Sequence, residues 1–318
     1  GASNTCVGYG TGYDLTSGHS NVLLGRDAGA NFTDNQRNVA IGMSAMLDSN
    51  GGENYNVAVG FGALESEVTS ANYCVAVGYA ALNLQNANVK NTAIGGLAGD
   101  AITSGASNTL VGYQAGSGMT DSSNNAVFGH NAMSGGNGGN NTCLGYGAGG
   151  GALAGDDNVI VGMQAGDALT DGPGNVLIGR SAGGAMTTSD YNIAIGFQAL
   201  DALTTNSHNN IAIGANALTT QAADQAGGTT GHSIAIGTEA LNLQNDGDAI
   251  NLAIGYRCGD AVTTGTKNTL IGQFAGSSIQ DDDYNTAVGH EALLNATAGS
   301  GNTAIGALAM GLGAATGS

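Results

Sequence analysis

Short apolar segments recur along the chain at a nearly constant interval, and each of them ends in glycine. The stretch Asn91-Thr92-Ala93-Ile94-Gly95 is typical. Its β-branched residues favour a strand, and no segment sustains a period of 3.6 residues over three helical turns. Short strands joined by glycine-rich corners at a fixed length are the pattern of a β-solenoid.

The repeat covers the whole sequence. Its copies start at residues 4, 21, 38, 56, 74, 91, 108, 125, 141, 158, 175, 192, 210, 233, 251, 268, 285 and 302. Eleven of the 17 spacings are 17 residues long, and the 23-residue copy that starts at Asn210 predicts a surface bulge around Ala222 to Gly231. We therefore predict a single array over residues 1–318, an all-β parallel β-solenoid of about 18 coils.

Several positions of the repeat, counted from the first residue of each copy, have a clear physical meaning. The fifth position is glycine in all 18 copies, which indicates a positive φ or a close backbone approach. The eighth is alanine in 16 copies, which predicts tight packing between coils. The opening residue is usually Asn, which suits a corner with left-handed backbone and a ladder of stacked amides.

The ninth position divides the copies into two equal classes. It is Gly in nine copies, such as Gly29, and Leu or Met in nine, such as Leu64 and Met133. Every spacing that differs from 17 residues follows a Leu or Met copy. We expect a tight turn in the first class and a looser turn, filled by the apolar side chain, in the second.

The strand segments are apolar at three successive positions, as in Val39-Ala40-Ile41. We expect the fourth position of the copy to face the core and the third to face outward. The outward set then consists of apolar residues: Ala40, Ala58, Ala194, Leu177, Ile160 and Leu270. A strand that is apolar on both faces is buried on both, so this predicts a parallel homo-oligomer, a trimer. The alternative is a flattened monomer that tolerates small alanines at its surface.

Composition excludes several classes. The chain has 57 glycines but one proline, so it is not collagen. Hydrophobic residues make up 42%, too many for a disordered acidic chain. The net charge of -18 argues against nucleic acid and anionic membranes as partners. No apolar run is long enough to span a bilayer.

The Asn-x-Ala-Ile-Gly-x-x-Ala unit resembles the head repeat of trimeric autotransporter adhesins of the YadA type, and it is similar to the repeat of bacteriophage tail fibre shafts. The 17-residue period is closer to the phage version. The resemblance covers essentially the whole chain. It implies a left-handed β-roll, three chains to a fibre, and a role in host or surface attachment.

The sixth position varies most and collects aromatic and basic residues. Its members are Tyr9, Tyr79, Tyr113, Tyr146, Tyr256, Phe61, Phe197, His130, His290, Arg26 and Arg180. The residue before each copy is similar, with Tyr55, Tyr73, Tyr191, Tyr284, Arg37, Lys90, Lys267 and His232. One hypothesis is a stripe that binds glycans; the other is a seam between chains, where the rings pack and the cations offset acids.

Other chemistry is weakly indicated. Cys6, Cys74, Cys143 and Cys258 lie several coils apart, too far for intrachain disulfides, and are predicted to be small buried hydrophobes. Free thiols favour folding in a reducing cytoplasm. Asp156-Asp157 and Asp281-Asp282-Asp283 suit solvated turns or calcium, but the calcium repeat is absent. We predict no catalytic residues, no cofactor and no metal site.

These observations lead to one functional prediction and two alternatives. We predict a homotrimeric shaft of a phage tail fibre or comparable surface appendage, located on a virion or extracellular surface, that contributes to host attachment. The first alternative is an adhesin module that binds host glycans through the sixth-position residues. The second is an ice-binding solenoid, since seven copies carry Thr at the second position, although Val and Ile interrupt that column.

Overall fold

The fold is a parallel β-solenoid in which each coil contributes one short strand. This computed structural model describes residues 3–66, 71–87, 89–202, 207–220, 230–245, 249–295 and 299–311. The chain divides into two compact units, Gly1–Asp157 and Asn158–Ser318. No helix in these described ranges is long and apolar enough to cross a membrane.

The first unit contains nine strands, each of three residues. They are β1 Thr5–Val7, β2 Val22–Leu24, β3 Val39–Ile41, β4 Val57–Val59, β5 Val75–Val77, β6 Thr92–Ile94, β7 Thr109–Val111, β8 Ala126–Phe128 and β9 Thr142–Leu144. Consecutive strands pair in parallel with each repeat position opposite itself; Ala40 of β3, for example, is opposite Ala58 of β4.

The second unit repeats this arrangement with one addition. Its strands are β10 Val159–Val161, β11 Val176–Ile178, β12 Ile193–Ile195, β13 Ser207–His208, β14 Ile211–Ile213, β15 Thr230–Gly231, β16 Ile234–Ile236, β17 Leu252–Ile254, β18 Thr269–Ile271, β19 Thr286–Val288 and β20 Thr303–Ile305. β13 and β15 form a separate two-stranded parallel sheet. The predicted bulge around Ala222 to Gly231 lies outside the described residues, apart from β15. The predicted all-β parallel solenoid with a 17-residue repeat is confirmed.

The direction of the strand side chains is the reverse of our prediction. The third position lies inside: Leu23, Ala40 and Ile160 have no exposed surface. The second and fourth positions face outward, and Val22 and Leu24 on either side of Leu23 are 40% and 44% exposed. A three-residue strand can direct only its middle side chain to one face while both neighbours point to the other, and here the middle residue faces the core.

The interior of each coil is filled from three positions. The third-position residue and the eighth-position alanine, such as Leu23 and Ala28, are both fully buried. A larger apolar side chain completes the layer. In the Leu and Met class it is the ninth residue itself, for example Leu64; in most coils of the glycine class it is the residue three places later, for example Phe32 behind Gly29.

The two classes share their backbone conformation at the ninth position. The φ angle is between +49° and +65° for glycine and for Leu or Met alike, with +56° at Gly29 and +51° at Leu64. The predicted difference between a tight and a looser turn is therefore wrong at this residue. The classes differ in which residue supplies the buried side chain, because a Cβ on Gly29 would meet the ring of Phe32 at 3.3 Å.

The order of these classes is nearly the same in both units. Each begins with two glycine coils, continues with three Leu or Met coils and two more glycine coils, and then has a Leu or Met coil. The fifth coil of each unit also carries a buried glutamine, Gln85 or Gln244. The unit boundary at Asp157 and this shared order indicate an internal duplication of nine coils.

The opening asparagines form a buried ladder, as the sequence suggested. The Oδ1 atom of Asn108 accepts a hydrogen bond from the N–H of Asn125 at 2.9 Å, and its Nδ2 atom donates to the Ser122 carbonyl at 3.0 Å. The left-handed backbone belongs instead to the residue before the asparagine, as at Ser107 with φ +60°. The ladder thus satisfies one backbone donor and one carbonyl inside the coil.

Two coils lack the asparagine, and in each of them a glutamine side chain supplies the amide. Cys74 opens one copy and Ser233 another; Gln85 Nε2 approaches Cys74 Sγ at 3.1 Å, and Gln244 Nε2 donates to Ser233 Oγ at 3.1 Å. In the first of these coils, Gln85 Oε1 accepts from the next ladder member, Asn91, at 3.0 Å. Gln85 therefore connects the hydrogen bonds of the ladder across the coil that has no opening asparagine.

Removing one ladder amide should destabilise the fold. In the Asn108→Ala variant the N–H of Asn125 and the carbonyl of Ser122 lose their partners inside the coil, so we expect a loss of about 3 kcal/mol. A shift of the urea unfolding midpoint measures it. Asn50→Ala is the control, since Asn50 is exposed and the substitution keeps its backbone carbonyl, which accepts a hydrogen bond from Thr33 Oγ1 at 3.3 Å. Equal shifts for both variants would contradict the ladder's role.

Candidate functional surface

The outward face of the parallel sheet is an apolar surface in each unit. We call it the sheet face: the second- and fourth-position side chains of the main strands. Its members are aliphatic in most coils, and several remain open to solvent, including Ile94 at 42%, Leu144 at 48% and Ile254 at 36% exposed. The alternating strand thus leaves its β-branched residues outside, where a soluble protein usually has polar ones.

The sixth-position residues form a column beside the sheet face, and all eleven predicted members are exposed. The structure brings some of them together across neighbouring coils. Phe61 stacks on Tyr79 with ring centroids 5.6 Å apart. His130 lies between Tyr113 and Tyr146, at 5.2 and 5.3 Å.

Other members of the sixth-position column have different partners. Arg180 lies over the ring of Phe197, 5.6 Å from its centroid. Tyr256 meets the edge of Phe274, which is a seventh-position residue. Arg26 and His290 each contact the acid that follows them in sequence, Asp27 at 3.0 Å and Glu291 at 3.6 Å. Tyr9 is 81% exposed and lines a groove with Tyr13.

The residues that precede each copy form a second column, which we call the leading column. Arg37 lies over Tyr55 and donates from Nη1 to its hydroxyl oxygen at 2.8 Å, and Tyr55 stacks on Tyr73 at 5.0 Å. Lys267 Nζ donates to Tyr284 at 2.9 Å, and this bond raises the pKa of Lys267.

The leading column borders the sheet face directly. A groove of about 340 Å³ is lined by leading-column residues, among them His232, Ile250 and Lys267, and by second-position residues, among them Ile234 and Leu252. The sheet face and the leading column therefore form one continuous surface in this part of the second unit.

Ring stacking limits what these columns can bind. In the Phe61–Tyr79 and Tyr55–Tyr73 pairs the planes are 13° and 6° from parallel, so each ring covers one face of its neighbour. A pyranose stacks on an aromatic face, and in these pairs the inner faces are occupied. Each ring of a pair thus has one face covered by its neighbour, which suits packing along a seam.

Charge is strongly segregated around the sheet face. The stretch from the leading column to the sixth position contains five of the six basic residues but one of the 24 acidic residues, Asp157. The remaining positions of the repeat are therefore very acidic. The surface combines aliphatic residues at its centre with aromatic rings and cations at its margins.

The acidic runs that suggested calcium serve the backbone of neighbouring coils. Asp156 Oδ1 accepts from the N–H of Gly139 at 2.7 Å, Asp282 Oδ1 from Gly299 at 3.0 Å, and Asp283 Oδ1 from Thr266 at 2.7 Å. In the described part of the chain, no group of three or more His, Cys, Asp or Glu residues is placed to hold a metal ion. These contacts match the solvated-turn interpretation.

All four cysteines are free thiols, and three of them are buried as predicted. Cys6 is exposed, contrary to the prediction, because β1 pairs with β2 alone among the described strands and leaves one side of the coil uncovered. Burial raises the pKa of Cys143 and of Cys258 to about 12. Neither thiol is a functional nucleophile in this environment.

This difference predicts selective thiol labelling. At about pH 8 an aromatic disulfide reagent should modify Cys6 alone in the native protein, since the thiolate is the reactive form, burial raises the pKa of Cys143 and of Cys258, and Cys74 has no exposed surface. Four equivalents should react in denaturant, as counted by absorbance. A Cys6→Ser variant provides the control and should show no fast reaction. Rapid labelling of Cys143 or Cys258 would contradict the buried packing.

Comparison with known proteins adds no identification. No protein-family model matches the chain, and no curated protein matches it.

Proposed function

We propose that the chain is the structural shaft of a homotrimeric fibre, a phage tail fibre or comparable appendage on a virion or extracellular surface, and that it contributes to host attachment. The observation that carries this proposal is the outward direction of the second- and fourth-position columns in both units, the fourth aliphatic in all but one copy and the second in most. Val39 and Ile41 illustrate the arrangement: both point away from the core that Ala40 enters. Burial of such a face is favourable in proportion to the apolar area removed from water.

A second copy of the chain fits this face better than an unrelated partner. The apolar positions recur once per coil, at the spacing of neighbouring β-strands of ~4.8 Å. A partner that covers every coil needs apolar groups at the same interval, and a parallel copy has them. The number of three chains comes from the resemblance to trimeric adhesins and phage fibres.

Solution mass tests the proposal. Light scattering at micromolar concentration should give about three times the 31.0 kDa chain mass. Ile254→Glu, which places a charge on the sheet face, should dissociate the assembly. Leu243→Glu is the matched control, because Leu243 is 47% exposed but lies at the eleventh position, away from the sheet. A monomeric wild-type protein would reject the shaft proposal.

A glycan-binding module is the second candidate, favoured by the exposure of all eleven aromatic and basic residues at the sixth position. Tyr146 is 54% exposed and Tyr113 is 48% exposed. A glycan array should then show binding that Tyr113→Ala and Tyr146→Ala weaken. Tyr13→Ala is the control, as Tyr13 is 82% exposed but belongs to neither column. No binding, or binding indifferent to the two substitutions, would reject this candidate.

The ice-binding alternative receives less support. Thr92, Thr109 and Thr142 do face outward in the second position. Val and Ile occupy that position in most other coils, so the hydroxyl groups do not form a regular array.

A further inference from the structure

Within the described residues, four of the six cations form no ion pair with a carboxylate. Arg37, Lys90, Arg180 and Lys267 are exposed, and within the described residues no ion pair within 4.0 Å joins any of them to an acid. The other two behave differently. Arg26 contacts Asp27 at 3.0 Å, and Arg257 contacts Asp260 at 2.8 Å and Glu239 at 3.2 Å.

The lack of ion pairs at these four cations is unexpected in so acidic a protein. There are 24 acids for six bases, so a cation placed without constraint would find a carboxylate nearby. The four unpaired cations all lie at the margins of the sheet face: Arg37, Lys90 and Lys267 in the leading column and Arg180 in the sixth-position column. Acids are nearly excluded from both columns.

Aromatic neighbours position three of these cations. Arg37 and Lys267 are bonded to tyrosine hydroxyls, and Arg180 lies on the Phe197 ring. An arginine side chain has five N–H donors, and the Arg37 guanidinium donates one to Tyr55. A cation held in this way loses less conformational entropy when an anion binds it.

The acids nearest in sequence to the two columns lie just outside them. Asp27, Glu239 and Glu291 occupy the seventh position, next to the sixth-position column, and Asp156, Asp190 and Asp283 occupy the sixteenth, next to the leading column. When two parallel copies cover each other's sheet faces, the margins of the two copies meet. The cations of one copy then approach the flanking acids of the other.

We propose that Arg37, Lys90, Arg180 and Lys267 form ion pairs with marginal carboxylates of a neighbouring copy, and that these pairs, together with the aliphatic centre, hold the assembly together. This inference rests on the proposed homo-oligomeric shaft. The acidic chains repel one another over a long interface, and the four cations are the groups available to offset that repulsion where copies meet.

The direction of the salt dependence tests the inference. For the wild-type protein, raising NaCl from about 0.02 M to about 0.5 M should screen the pairs and weaken assembly, seen as roughly a tenfold rise in the dissociation midpoint by analytical ultracentrifugation. In the combined Arg37→Gln, Lys90→Gln, Arg180→Gln and Lys267→Gln variant only repulsion between acids remains. Its assembly should be weaker at low salt and become stronger as salt is added.

The control is the Arg26→Gln, Arg257→Gln variant, which removes the two cations already paired within the chain. It should keep the wild-type direction of the salt dependence. Circular dichroism of all variants shows whether the solenoid is intact. A wild-type oligomer that is indifferent to salt and to the four substitutions overturns the ion pairs but leaves the shaft proposal standing. A wild-type monomer under all conditions rejects the shaft itself, and the interface pairs with it.

Discussion

The Gly112→Ala variant is expected to lose at least about 3 kcal/mol of folding free energy, a cost that arises entirely from the backbone. Gly112 has φ +138°, a conformation essentially restricted to glycine. A Cβ at this position would also overlap the carbonyl oxygen of Gly129, the equivalent residue of the next coil. The Cβ and the carbonyl oxygen are both fixed by the backbone, so the two neighbouring strands would have to move apart.

A neighbouring glycine provides the control for this experiment. Gly96 occupies the sixth position, has no positive φ, and a Cβ there would meet only the Tyr113 ring at 3.5 Å, an ordinary contact. Gly96→Ala should therefore shift the thermal or urea midpoint by less than about 0.5 kcal/mol. Equal unfolding midpoints for Gly112→Ala and Gly96→Ala would mean that the close approach of neighbouring coils does not require glycine at the fifth position.

The repeat itself could be predicted because its strongest signals are local. Glycine at the fifth position indicates a positive φ at that residue, and alanine at the eighth position indicates close packing between adjacent coils. Gly112 and Ala115 show both effects directly, the first with its positive φ and the second with complete burial. The register of the strands then follows from the period, since each coil pairs with the next at the same position.

Which strand side chains face the core could not be predicted from the alternation of apolar and polar residues, because all three strand positions are apolar in most copies. The information is present when the third and ninth positions are compared across all 18 copies. Alanine at the third position usually accompanies Leu or Met at the ninth, as in Ala58 and Leu64, whereas larger third residues accompany glycine in all but one copy, as in Leu23 and Gly29. Two positions that exchange volume in this way share one core. This places the third residue, not the fourth, inside.

The candidate surface was predicted in part. The sequence placed Tyr113, His130 and Tyr146 in one column, and in the structure their rings lie next to one another. The identity of the outward aliphatic residues was missed, because it depends on the direction of the strand. The partners of the cations were also not predicted: Arg257 is bonded to Asp260 in its own coil, and Lys267 is bonded to the hydroxyl of Tyr284 in the next coil.

The buried side chain that completes a coil comes either from the ninth residue or from the residue three places later, and this predicts a pair of substitutions that compensate each other. Phe32 fills the coil interior behind Gly29 and has no exposed surface. Phe32→Ala should cost about 3–5 kcal/mol, from lost burial and from the cavity that remains. Gly29→Leu alone should also destabilise, because its Cβ would already lie 3.1 Å from a methyl group of Leu23 and 3.3 Å from the Phe32 ring.

The double variant Gly29→Leu, Phe32→Ala should recover at least about 1 kcal/mol of the loss caused by Phe32→Ala. Leu64 shows that leucine is accommodated at the ninth position with φ +51°, close to the +56° of Gly29, and fills the same part of a coil. Left-handed backbone costs a leucine roughly 1–2 kcal/mol, so the recovery stays incomplete. Urea midpoints of the four proteins in this cycle measure the coupling. A double variant less stable than Phe32→Ala would mean that the two coil classes differ in more than the origin of one side chain.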